Sequence, residues 1–419
     1  MNILIRAAKI IHPGSGLNGQ KKNILIKNGY IEEITDAEPK SASVIEGKDL
    51  HVSIGWFDFN SFVGDPGLEH KEDIETLAKA AAAGGYTELL SLPNTKPVVQ
   101  SKDVLSYIQS KSAQTILTIH PIAAVTLQTK GEELTEMIDL FSAGAIAFSD
   151  GDHPIWHSDI LLKALQYTQK FNGLIIQRPE DRLLSAHGQM NEGRTSTFSG
   201  LKGIPSLAED VMVLRDLRIL EYTGGKIHFS LLSTPTAIAL VKEAKKKGFN
   251  VTCDIPAYLL ALDDSVMDSF DTFLKVNPPI RAKKEQEFFR KAVREGIVDI
   301  VASAHRPHES ECKNLEFDLA EFGMESLETT FSLVNEAMNG NVESIIERIA
   351  LTPRKIVGLE IPKIEVGAKA NLTVFDPAIE WEVKEKDIKS KSKNNPFIGK
   401  TLKGRALAVF NNKKFSTNQ

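Results

Sequence analysis

Short apolar runs open and close the chain, and two periodicities alternate between them. Residues 2–11 and 23–35 carry β-branched and apolar side chains in short runs around a Gly/Asn/Lys-rich turn, which predicts strands. Residues 370–375 (ANLTVF) and 405–410 (RALAVF) predict strands again, with a polar Lys/Ser/Asn loop at 389–395 between them. In the middle, strand-like runs fall at 50–57, 86–92, 115–125, 145–148, 174–177, 226–232, 250–255 and 299–302. They alternate with amphipathic stretches at 71–83, 103–111, 134–141, 159–171, 207–222, 236–247 and 284–295. Eight such runs alternating with helices over ~300 residues predict a (β/α)8 barrel. An open doubly wound sheet alternates in the same way, so the pattern alone leaves both arrangements available. Gly144, Gly173, Gly225 and Gly248 each precede a predicted strand, where a helix cap falls. Neither terminal β segment is long enough to bury a core alone, so a β-sandwich built jointly from both ends is the economical arrangement. The expected division is 1–53 and 361–419 for the β domain and 54–360 for the barrel.

Composition changes this picture little. At 419 residues the chain suits a large barrel plus a satellite domain. Apolar residues make up 42% and charged residues 25%, as in ordinary globular proteins. The net charge of −5 offers no basic footprint, which argues against a nucleic-acid partner. No apolar run reaches the ~18 residues that span a bilayer, and the start alternates like a strand rather than a signal peptide. Two cysteines, Cys253 and Cys312, make no disulfide framework, so a reduced cytoplasmic setting is expected.

Several long stretches carry a resemblance. They are 65–99 (DPGLEHKEDIETLAKAAAAGGYTELLSLPNTKPVV), 143–150 (AGAIAFSD), 251–260 (VTCDIPAYLL), 276–281 (VNPPIR), 304–308 (AHRPH), 317–329 (FDLAEFGMESLET) and 367–377 (GAKANLTVFDP). In order and along essentially the whole chain, they resemble the long bacterial dihydroorotases of the amidohydrolase superfamily. The resemblance implies a metal-dependent (β/α)8 TIM barrel with a small β-sandwich domain from both termini. It also implies zinc chemistry on a cyclic amide. A zinc-bound hydroxide attacks the carbonyl, because coordination lowers the pKa of water from ~15.7 to ~7. A carboxylate at the end of strand eight moves the proton.

The ligand set that the resemblance implies is largely missing. The first strand should end in His-x-His, and those positions hold Asn60 and Phe62. The histidine of strand five is matched by Arg178 and that of strand six by Leu231. The Asp-His closing strand eight reads Ala304-His305, so a ligand and the proton-transfer carboxylate go together. Of the matched positions only Asp150, after strand four, keeps a ligand type. Ten histidines occur, none as His-x-His, and His153 and His157 flank Pro154 in a stretch unsuited to a helix. His120 and His228 are expected to be strand residues satisfied by hydrogen bonds.

The substrate pocket implied by the family is only partly erased. Its carboxylate-holding Arg is matched by Gly64. Asn94, Asn277 and His308 match residues that contact substrate, although Asn94 and Asn277 also suit turns beside Thr95 and Pro278. These substitutions predict a non-catalytic dihydroorotase-like protein that holds no metal. Such a chain is expected to be oligomeric, with aspartate transcarbamoylase as a candidate partner by family analogy. A divergent cyclic-amide hydrolase, either metal-independent or recruiting metal through Asp150 and His305 or His308, and a metabolite sensor are the alternatives. Within the mouth, Arg178 is expected to replace the metal's charge by pairing with Asp150.

Overall fold

The computed structural model describes residues 2–41 and 43–418. The barrel closes as predicted. Trp56–Ser61, Tyr86–Ser91 and Thr118–Pro121 pair in parallel. Residues 145–148 stand fourth, joined through Phe148 to Ala123 on one side and Ile175 on the other. Ile175–Gln177, Ile227–Phe229, Val251–Pro256 and Ile300–Ala302 follow, again parallel. A bridge between Ser61 and His305 closes the ring. The open doubly wound sheet is thereby excluded, because its two edges would stay apart.

Apart from a short two-stranded sheet of Met190–Asn191 and Gly203–Ile204, the remaining strands form one eight-stranded sheet drawn from both ends of the chain. His51–Ile54 is the join: it pairs in parallel with Asn2–Ile11 and antiparallel with Leu372–Glu382. The fold class expected from the sequence, a barrel with a β domain built from both termini, is the one adopted. One boundary moves. The run 50–57 divides, with His51–Ile54 in the terminal sheet and Trp56–Ser61 opening the barrel. Gly55 makes the turn between them, and a Cβ there would lie 2.0 Å from Thr87 Oγ1 and 2.1 Å from Asn371 Oδ1. Only a residue without a side chain lets the two sheets come this close.

Local chemistry sets the helices. Asp73 accepts from Thr76 N to cap Ile74–Gly84, and Gly85 ends that helix at φ 93° just before the strand at Tyr86. After the helix of strand four, Asn172 rather than Gly173 takes the left-handed position, at φ 57°. The eighth helix, Thr330–Ala337, docks the barrel onto the terminal sheet. Ser332 Oγ donates to Gly404 O at 2.6 Å and Asn335 Nδ2 to Lys403 O at 3.1 Å. Trp56, Phe331 and Phe375 pack between the two units with ring centroids 4.5–5.4 Å apart. No helix among the described residues is long and apolar enough to cross a membrane.

Candidate functional site

The matched positions sit where barrel chemistry is done, at the C-terminal ends of the strands. Phe62 follows strand one, Arg178 strand five, Leu231 strand six and Ala304 strand eight. All four line one cavity of about 260 Å³, together with Asn277 and His308. Leu231 and Ala304 hold left-handed backbone, at φ 56° and 55°. Residues with a Cβ adopt that conformation at a cost of about 1–2 kcal/mol each. The strand ends thus retain a demanding backbone shape although the side chains there offer no ligand atom.

Arg306, which the sequence reading passed over between His305 and His308, organises the mouth. Its Nη2 donates to Asn60 Oδ1 at 2.7 Å and to Asp152 Oδ1 at 2.9 Å. Its Nε donates to the same Asp152 oxygen at 3.0 Å, and Nη1 to His305 O at 2.8 Å. Asn60 continues inward, its Nδ2 donating to Ser230 Oγ at 2.9 Å. Ser230 Oγ donates to Asp254 Oδ2 at 2.9 Å, and His228 Nε2 lies 2.9 Å from that oxygen. A buried polar chain therefore runs from Arg306 across the barrel to His228. Burial alone would raise the Asp152 carboxyl, but the guanidinium groups of Arg306 and Arg178 outweigh it and hold the pKa below the usual range.

The expected pairing of Arg178 with Asp150 does not form. Arg178 reaches Asp152 and Glu180 instead, at 3.7 Å each. Asp150 turns away from the cavity. Its Oδ1 accepts from Thr126 N at 2.9 Å and its Oδ2 from Thr126 Oγ1 at 2.5 Å. The reason is local. Asp150 is followed by Gly151 at φ 65°, and this turn sends Asp152, two residues on, toward the arginines. Asn94 is likewise not a pocket residue. It braces the turn, donating from Nδ2 to Asp150 O at 3.1 Å and accepting from Asp152 N at 2.9 Å. Asn277 stays at the cavity and donates to Glu180 Oε2 at 3.0 Å.

Burial, opposed by the two Thr126 bonds, raises Asp150 to about 6. A carboxyl raised in the folded state holds more protons folded than unfolded, so its contribution to stability falls as pH climbs from its unfolded pKa, ~3.9, to about 6. Asp150→Asn removes that titration. The variant should gain on the wild type by about 2–3 kcal/mol between pH 4 and pH 7 in urea unfolding. A difference that stays constant with pH would contradict this assignment.

Among the described residues, the strand histidines do not assemble a substitute metal site in the mouth. His120 Nε2 bonds Glu88 Oε2 at 2.8 Å, and His228 bonds Thr252 and Asp254, as strand residues. His305 is fully buried on the far side of its strand end, 3.6 Å from Glu72 Oε2 and 3.8 Å from Glu325 Oε1. Asp150 is instead engaged by Thr126, and among the described residues Asp150 and His305 belong to no common ligand group, which counts against recruitment of a metal through the pair. The zinc centre that the amidohydrolase barrel implies does not fit these residues. Phe62, Leu231 and Ala304 bring no donor atom, and Arg178 and Arg306 bring positive charge that repels a cation.

A closed barrel with a β domain from both termini and a strand-end cavity is the architecture of the amidohydrolase class. The L-hydantoinase (dihydropyrimidinase) from Arthrobacter aurescens shares it with a TM-score of 0.86 at 19% identity, covering 99% of this chain and 96% of that one. The dihydropyrimidinase from Brevibacillus agri does so with a TM-score of 0.82 at 19% identity, over 100% and 95%. At such identity the likeness is one of fold. In sequence, the chain is 37% identical over 413 residues to a dihydroorotase of Citrifermentans bemidjiense, covering 97% of each. It is 38% identical over 408 residues to a dihydroorotase of Acetivibrio thermocellus, covering 96% of each. The family described as Dihydro-orotase-like matches residues 51–237. The chain belongs to the dihydroorotase family of pyrimidine biosynthesis.

Proposed function

We propose that this chain is a non-hydrolysing member of the dihydroorotase family that serves as a scaffold. The observation that carries the reading is Arg306, whose guanidinium bridges Asn60 and Asp152 in a mouth where Phe62, Leu231 and Ala304 stand at the matched ligand positions. A fixed cation and apolar side chains supply neither a metal site nor a proton-transfer carboxylate. The fold is nevertheless complete, which fits a role borne by its surface. Aspartate transcarbamoylase, the preceding enzyme of the pathway, is the proposed partner, with self-association of the barrel alongside. Size-exclusion chromatography with light scattering, alone and after co-expression with that transcarbamoylase, tests this. Co-elution in a defined stoichiometry is expected; a monomer that ignores the transcarbamoylase removes the scaffold role.

One feature supports a second reading, binding of a small carboxylate as a metabolite sensor. Arg178 is mostly buried beside the cavity, yet no hydrogen bond engages its guanidinium among the described residues, only ion pairs at 3.7 Å. Free donors of a planar guanidinium suit a carboxylate. Thermal-shift measurements with orotate, dihydroorotate and carbamoyl aspartate separate the readings. A stabilisation abolished by Arg178→Ala supports the sensor, and a flat response across all three rejects it.

A further inference from the structure

At the rim of the mouth, His308, Glu309 and Cys312 place one ligand atom each within 4.8 Å of one another. The grouping is local in sequence: His308 and Glu309 precede a single helical turn, Ser310–Lys313, that carries Cys312. Cys312 Sγ lies 3.1 Å from Glu309 Oε1, while Glu309 Oε2 is shielded from solvent with no hydrogen-bond partner. We propose that His308 Nδ1, Glu309 and Cys312 form a zinc site at the rim of the barrel mouth, with a water in the fourth position.

The imidazole is set for this role. His308 Nε2 lies 3.0 Å from Phe322 O, and a carbonyl only accepts, so the proton is on Nε2. The lone pair is therefore on Nδ1. A ligating histidine is usually held this way, its second nitrogen donating to a backbone carbonyl. A cation already occupies the lone-pair direction, since Lys71 Nζ donates to Nδ1 at 3.3 Å. The ammonium rides on a flexible four-carbon stem and can leave, whereas the three ligands are fixed by the loop and turn. His70 Nε2, 3.7 Å from Glu309 Oε1, steadies the carboxylate from the other side. Access exists, because His70, His308 and Glu309 line an open cavity of about 670 Å³. Nitrogen, sulfur and carboxylate donors together select zinc over magnesium or calcium, and three protein ligands plus water is its open tetrahedral arrangement. A thiolate and a carboxylate balance the charge of the ion, with the Cys312 proton released to solvent on binding.

Cobalt(II) is the probe, added to the full chain after chelator treatment, with zinc as competitor. One equivalent should bind with a thiolate-to-cobalt charge-transfer band that zinc abolishes. Cys312→Ser should remove the band, while Cys253→Ser, changing the buried cysteine of strand seven, should keep it. His308→Gln should weaken binding by at least about 100-fold, more than loss of an outer-shell contact does. Lys71→Met, which removes the competing ammonium, should tighten it. Absence of the band, its survival in Cys312→Ser, or weaker binding in Lys71→Met would overturn the site.

Discussion

Purified protein given dihydroorotate or carbamoyl aspartate, with or without zinc, should show no turnover approaching ~1 s⁻¹, the low end of ordinary enzyme rates. The chemistry needs two things from the strand ends. General acid–base help is worth ~10²–10⁴ in rate, and the metal generates the hydroxide that attacks. Ala304 stands where the proton-transfer group is expected, and no neighbour replaces it. Asp152 is a carboxylate of the same cavity, but two charge-assisted bonds to Arg306 engage one of its oxygens and hold its pKa low, which makes it a weak base. Arg306 and Arg178 offer hydrogen-bond donors and positive charge, and no acceptor for a proton. Restoring ligands singly should fail for the same reason. Phe62→His adds one imidazole beside two guanidinium groups, still short of the three or four ligands that zinc needs together. Even Asn60→His with Phe62→His should take up no zinc at the mouth, a measurement made in the Cys312→Ser background so that only the mouth is read. Zinc-dependent hydrolysis above ~1 s⁻¹ would end the non-catalytic reading.

The backbone was the legible part of this protein. Strand and helix periods, glycines such as Gly144, Gly225 and Gly248 and the resemblance together point to the barrel, because hydrophobic patterning and backbone freedom are written residue by residue. The boundary at Gly55 was not legible, since one continuous strand-like run conceals a change of sheet that only the close approach of Thr87 and Asn371 reveals. In the mouth, the missing ligands were legible and their replacement was not. Matching position to position pointed to Asp150 and Arg178. A turn at Gly151 shifts the carboxylate that faces the cavity to Asp152, and Arg306 enters from a position with no counterpart in the ligand set. A search for charge in place of histidines would have noted Arg306 two residues after Ala304. The Asn60–Ser230–Asp254–His228 chain joins three strands distant in sequence, and no local signal marks it.

Removing Arg306 should damage the fold more than removing Arg178. The Arg306 side chain is 12% exposed and bonds two side chains and a carbonyl, whereas Arg178 makes only longer ion pairs. Breaking a buried pair from one side costs about 3–5 kcal/mol, because the partner charge stays behind unpaired. Asp152 is 35% exposed, so water screens part of that charge, and Arg306→Met should cost about 2–3 kcal/mol. Arg178→Ala should cost under about 1 kcal/mol, near the value of an exposed pair. The acid side provides an independent check. A carboxyl with a depressed folded pKa contributes stability above its unfolded pKa and loses it as pH falls through the folded value. Wild type should therefore lose this contribution below pH ~4, whereas Arg306→Met, its Asp152 carboxyl no longer held down, should lack that limb. Adding Asp152→Asn to Arg306→Met should return at least about 1 kcal/mol, since the stranded charge is then gone. Urea unfolding of wild type, Arg306→Met, Arg178→Ala, Asp152→Asn and the Arg306→Met/Asp152→Asn double variant at pH 7 and pH 4 reads all of this. Equal losses from Arg306→Met and Arg178→Ala, or strictly additive effects of Arg306→Met and Asp152→Asn, would show that Arg306 is not the cation around which the mouth is built.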